Sequence, residues 1–219
     1  MVPQHAFWSS VVHLHPDRNK WTIELLATAL RLANLVEMRF KQALACRRPV
    51  DLSPQVQPMI LTPGHGSLPS GHSTEAHIVA RVLYELVVGS ITGGTATTEA
   101  ALLREELMRQ AARIAVNRTV AGVHFPVDSA AGQLLGLTLA EYLLARSMTA
   151  TGASYNPWTF DGLQYPGSQD FDFRLQYSTS TGGRAATTWA IQDVVITLPT
   201  AAPSPPLFWL WQKAIGEWP

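Results

Sequence analysis

Residues 18 to 46 contain no glycine or proline, and their apolar side chains recur every three or four positions. That period fits one face of a helix and rules out an alternating strand. Asp17 stands where a helix cap is expected, and Pro49 closes the stretch. Leu25, Leu26, Leu30, Leu32 and Leu35 are expected in the core. The same reasoning places a second helix over about 73 to 89, before the Gly/Thr-rich "GSITGGTATT". A third is expected over about 98 to 116, with charge on one side and Ala, Leu and Ile on the other, and a fourth over about 127 to 147. Four antiparallel helices make an all-α bundle covering residues 1–150.

Past residue 150 the texture changes. "TGASYNPWTFDGLQYPGSQDFDF" is turn-rich and aromatic, "TTWAIQDVVITLP" holds room for one short strand, and "TAAPSPP" reads as a linker. "PLFWLWQKAIGEW" reads as a short terminal helix. Residues 151–219 are therefore expected as an irregular arm packed on the bundle, because Trp158, Trp189, Trp209 and Trp211 need burial. The arm also offers a surface for self-association.

Charge narrows the function classes. Lys plus Arg and Asp plus Glu stand at 16 each, so no global field recruits nucleic acid or an anionic membrane. Any anion must be held by a local cluster. The single cysteine, Cys46, excludes an internal disulfide framework and a multi-cysteine zinc site. The first 20 residues lack a basic start followed by an apolar block, and no apolar run reaches the length of a membrane span. A soluble protein with no secretory signal is the expectation, with the cytoplasm favoured.

Local cations do occur, at three expected helix ends. Lys41 and Arg48 are seven residues apart, two helical turns, so both can lie on one face. Pro69-Ser70-Gly71-His72 brings a hydroxyl, a bare backbone amide and an imidazole to a helix entrance. "NRTVAGVHFPVD" is expected as a loop and brings Arg118, His124 and Asp128. Guanidinium forks match the oxygens of a phosphoryl group, and a helix entrance adds amides and the positive end of a dipole. Gly71 lets its peptide approach an oxygen closely. Asp128 lies four residues past His124, so a carboxylate can fix the ring's tautomer and direct its other nitrogen outward. That makes His124 the candidate nucleophile and His72 the candidate proton donor.

Those segments, Lys41 with Arg48-Pro49, then Pro69-Ser70-Gly71-His72, then Arg118 with His124 and Asp128, resemble a known signature. It belongs to the superfamily of type 2 phosphatidic acid phosphatases, class A acid phosphatases and vanadium-dependent haloperoxidases. Order and spacing agree over about residues 35 to 145. One departure is Asn117, where the family usually has serine. The resemblance implies a helical bundle with more helices than the four read here, and a phosphatase that needs no metal. His124 would form a phosphohistidine, oriented by Asp128. His72 would protonate the leaving alcohol, and Lys41, Arg48, Ser70, Gly71 and Arg118 would hold the phosphate oxygens.

The same resemblance leaves two other readings open. In a haloperoxidase the pocket would hold vanadate bonded to His124, and His65, seven residues before His72, stands where bromoperoxidases also place a histidine. The third reading is an inactive homologue that only binds phosphate-bearing ligands. His65 and Asn117 are candidates for supporting positions around the anion. His13, His15 and Arg47 are expected at the surface, and His77 is expected to point away from the site.

Overall fold

The structure, a computed structural model, describes residues 3–92, 97–148, 154–198 and 204–218. The linker-like residues 200–203 and the Gly/Thr-rich 93–96 lie outside these. The long helices are α2 (Lys20–Leu44), α4 (Gly71–Thr92), α5 (Thr98–Val120) and α6 (Pro126–Met148), with shorter helices α1 (Pro3–Trp8), α3 (Pro49–Leu52) and α7 (Pro205–Ile215). The expected all-α bundle is present. α4 is its axis and packs on α2, α5 and α6. Ile78, Val79, Ala80, Val82, Leu83 and Leu86 are completely buried. A helix apolar on every side has to sit in the middle.

Two glycines set how closely α4 and α6 approach. A β-carbon on Gly132 would lie 2.6 Å from the Ser70 carbonyl and 2.7 Å from Ser73 Cβ. On Gly136 it would lie 2.5 Å from the Thr74 carbonyl. The two backbones therefore touch near the α4 entrance, and Ser70 N–H donates to the Asp128 carbonyl at 2.9 Å. This contact brings the second and third motifs together.

The buried line of α2 runs Thr22, Leu25, Leu26, Ala29, Ala33, Glu37, Lys41. It ends on two charged residues, whereas Leu35 is 59% exposed, contrary to expectation. Small Ala29 and Ala33 face α4 because the helices are close there, and Leu35 falls on the opposite face. Asp17 is not the cap. Asn19 takes the N-cap position, and its Oδ1 accepts from His15 N–H. The amides of Trp21 and Thr22 instead donate to the two carboxylate oxygens of Glu217, at 2.8 Å each. At the other end α2 stops at Leu44, where Ala45 turns left-handed, φ 47°. Arg48 thus lies beyond the helix and caps α3, rather than two turns along the face of Lys41.

Among its described residues the arm has four short strands. β1 (Ser154–Tyr155) pairs antiparallel with β4 (Ile196–Thr197), and β2 (Trp158–Phe160) with β3 (Ala190–Gln192). Phe171, Phe173 and Tyr177 are buried in the main core, and Trp189 packs on Leu134 of α6. α7 lies along α2 with Leu210, Trp211 and Ala214 inward. Trp209 does not follow the expectation of burial. It is 49% exposed, edge-on to Trp21 with ring centroids 5.0 Å apart.

Candidate active site

The floor of the site is His124. Its Nδ1 is 2.9 Å from Asp128 Oδ2, which also accepts the Phe125 amide at 3.0 Å. An ionised carboxylate only accepts, so Nδ1 carries the hydrogen and Nε2 keeps its lone pair. Arg48 Nη1 sits 3.4 Å from Nε2. Histidine and carboxylate are 4% and 2% exposed. The pair works because Asp128 lies in the first turn of α6, four residues on, and folds back over the helix entrance. Burial lowers the pKa of His124, against the pull of the Asp128 hydrogen bond and charge.

Arg48 is buried, and every one of its N–H groups has an acceptor within reach. Nε donates to the His65 carbonyl, Nη1 to the Val123 carbonyl at 2.7 Å, and Nη2 to the Gly66 carbonyl. Nη2 is also 3.2 Å from His65 Nδ1. The Gly66 carbonyl lies 3.2 Å from the same nitrogen, so Nδ1 accepts from the guanidinium in one tautomer and donates to that carbonyl in the other. His65 is exposed at the rim yet seated on the guanidinium. Lys41, 2% exposed, donates to the carbonyls of Gly66, Ser67 and Pro69. The 65–69 segment therefore wraps both cations with its carbonyls. A cavity of about 570 Å³ opens beside Lys41, Cys46, Arg48 and His65.

The third cation comes from the end of α5. Arg118 lies in the last turn of that helix, not in a loop as expected, and its Nε is buried with no hydrogen bond among the described residues. Ser70 is fully buried and caps α4, its Oγ accepting the Ser73 amide at 3.4 Å. Gly71 and His72 open the helix, where amides have no partner within the helix itself. His72 keeps an exposed edge. Partial burial, then Arg118, His124 and Lys41, hold it down to about 4. A bound anion would act in the opposite direction and favour the imidazolium.

Lys41, Arg48, Ser70, Gly71, His72, Arg118, His124 and Asp128 thus meet at one end of the bundle. Asn117 does not join them; it is exposed, and no side-chain bond of it is seen among the described residues. His13, His15 and Arg47 are exposed as expected. His77 is fully buried and donates from Nδ1 to the Ser73 carbonyl at 2.7 Å. Among the described residues no three of His, Cys, Asp and Glu gather as a cation would need. The charges collected here suit a tetrahedral anion.

Sequence reasoning missed Glu37. It is 4% exposed, one turn before Lys41, and its carboxyl fills the space at Gly71, where a β-carbon would collide with Oε1. The glycine thus makes room for a neighbouring carboxyl as well as for an approaching ligand. The signal was available, since Glu37 continues the line of Ala29 and Ala33.

A family model of the PAP2 superfamily matches residues 23–151. No curated protein matches the chain. Among solved structures, it is similar to a transmembrane PAP2-type phosphatidylglycerolphosphate phosphatase from Bacillus subtilis, at 24% identity and a TM-score of 0.46. The match covers 53% of this chain and 54% of that one, so the chain spans about half that protein's length. Among the described residues no helix is long and apolar enough to cross a membrane.

Proposed function

The chain belongs to the PAP2 superfamily, and from that footing we propose that it is a phosphohydrolase that cleaves phosphate esters through a phosphohistidine at His124, with no metal required. The observation that carries the reading is the His124 ring, tied by Nδ1 to Asp128 at 2.9 Å with its Nε2 lone pair beside Arg48. Nε2 attacks phosphorus, and the bond to the ester oxygen breaks. The departing oxygen takes a proton from His72, which is protonated once the anion has entered. His72, now neutral, removes a proton from water, and that water cleaves the N–P bond to release phosphate and restore His124.

Lys41, Arg48, Arg118 and the first amides of α4 stabilise the charge on the equatorial oxygens. Arg118 meets the anion with an unclaimed Nε–H. Lys41 and Arg48 act through their field, or by exchanging a loop carbonyl for a phosphate oxygen. Losing one such donor costs about 3 kcal/mol of barrier. The test is release of p-nitrophenol from p-nitrophenyl phosphate by the full chain with chelator present. Turnover that disappears in His124→Ala supports the reading, and turnover that survives the substitution ends it.

One observation favours a second reading. His65 rests on Arg48 at the rim, so a peroxidase histidine would find its place there. Lys41, Arg48 and Arg118 would hold vanadate, with His124 Nε2 as the ligand to vanadium, and the bound vanadate would supply peroxide activation. Bromination of a phenol-based dye after loading with vanadate, in the absence of phosphatase turnover, would establish this reading over the first.

A further inference from the structure

Glu37 has no part in the chemistry above, yet it lies against it. Its Oε2 is buried with no hydrogen-bond partner among the described residues, and its Oε1 lies where a Gly71 side chain would begin. The charged groups facing it are Lys41 on its own helix and Glu75 on α4. A buried carboxylate with an unbonded oxygen is costly, and the neutral acid is far less so. Burial, with Glu75 adding to it, raises Glu37 to about 8 against the attraction of Lys41.

Lys41 titrates in the same range, lowered to about 8 by burial. The two groups form one coupled pair, and geometry decides which releases the proton first. The Lys41 ammonium has three carbonyl acceptors, Gly66, Ser67 and Pro69. Ionised Glu37 would face Glu75 with one oxygen unsatisfied. The proton therefore leaves Glu37.

Around the site Lys41, Arg48 and Arg118 stand against Asp128, Glu75 and Asp51, so the charges are balanced while Glu37 is neutral. Ionising Glu37 puts one further negative charge beside Lys41 and turns the balance against an anion. We propose that Glu37 sets the charge of the anion cage, its protonated form letting the three cations hold a phosphate dianion and its ionised form driving that dianion out. Glu37 is a positioning residue, acting through Lys41 and the Gly71 turn without touching the anion. The inference rests on the phosphate-binding reading above, and it makes proton uptake part of phosphate capture.

Calorimetric titration of the full chain with inorganic phosphate tests it, between pH ~7.5 and ~9.5, in two buffers of different ionisation enthalpy. Across the upper part of that range free phosphate is a dianion throughout, so its own titration does not intrude. Above pH ~8 the native chain is expected to take up one proton through Glu37 beyond any taken up by His72, and its affinity to fall more steeply there by about tenfold per pH unit, the slope of one linked proton. Glu37→Gln is expected to take up one proton fewer than the native chain above pH ~8, the uptake that remains being that of His72, and to lose the steepening of the profile there. Glu37→Met removes the charge without replacing the hydrogen bonds, should lose the same proton and the same steepening, and carries the test if the Gln variant does not fold.

A variant that keeps the native uptake and slope overturns the proposal. So does one that weakens at lower pH than the native chain, because Lys41 would then be the titrating group. Failure of the native chain to bind phosphate at any pH would remove the phosphate reading itself, a result distinct from either of these.

Discussion

Where α4 meets α6 the two backbones are in contact, with Gly132 against Ser70 and Gly136 against Thr74. In the arm, by contrast, the strands among the described residues are two or three residues long, beside one isolated bridge between Tyr177 and Arg184. The arm's attachment to the bundle rests mostly on side chains. Arg184 reaches from the arm to Glu141 at 2.6 Å, to Thr138 and over the Trp158 ring, and Arg104 reaches from α5 to the Thr179 carbonyl at 2.8 Å and to Tyr84. Backbone contact fixes position to a fraction of an ångström, which catalytic geometry requires. Side-chain rivets fix attachment and leave the segments between them free to vary. The histidines sit on the first kind of construction.

Changes at the bundle end and in the arm should therefore fail differently. The largest effect is expected for His124→Ala, which should reduce turnover of an aryl phosphate by 10³-fold or more, on the order of 4 kcal/mol of barrier, and should also lower the melting temperature, because the buried Asp128 carboxylate loses its imidazole. Next comes Gly132→Ala. In an ordinary helix this substitution stabilises by about 1 kcal/mol. Here the added methyl would press on the Ser70 carbonyl, so destabilisation of roughly 2 kcal/mol is expected, with activity falling alongside because the Ser70–His72 turn moves. A stabilised, fully active variant would show that the helices are not in contact.

Arg184→Ala tests the other half of the comparison. It strands Glu141 and should cost about 3 kcal/mol in denaturant unfolding, while activity per folded molecule stays at the native level. Loss of activity matching the loss of stability would mean that the arm shapes the site after all. The smallest effect is expected for Glu217→Gln, which weakens a helix cap by about 1 kcal/mol and lowers the melting point by roughly 2–4 °C. Salt should shrink that difference.

The bundle and the three motifs were legible because their signals are local. A 3.6-residue period marks a helix wherever it packs, and His124 with Asp128 is a contact four residues long. Pro69 to His72 read as a helix entrance because its chemistry does not depend on what lies opposite. Non-local features were hidden. β1 and β4 pair across more than forty residues, and two-residue strands carry no alternation to detect. The placement of Arg48 depended on where α2 ends, and Ala45 in a left-handed conformation is not announced by its type. Glu37 is one charge among several on a helix that also carries Glu24, Arg31 and Arg39, and its type alone does not single it out. The helical period does place it in line with Ala29 and Ala33, and that line is buried because α4 packs against it.

The carboxylate that completes the start of α2 belongs to a residue almost two hundred positions later. During synthesis at about 5–20 residues per second, that helix waits on the order of 10 to 40 seconds before its first amides find their acceptor. Any fragment released in that interval carries its longest helix with an unfinished beginning. A ribosome stalled short of residue 217 would leave a nascent chain for chaperones to recognise at that spot.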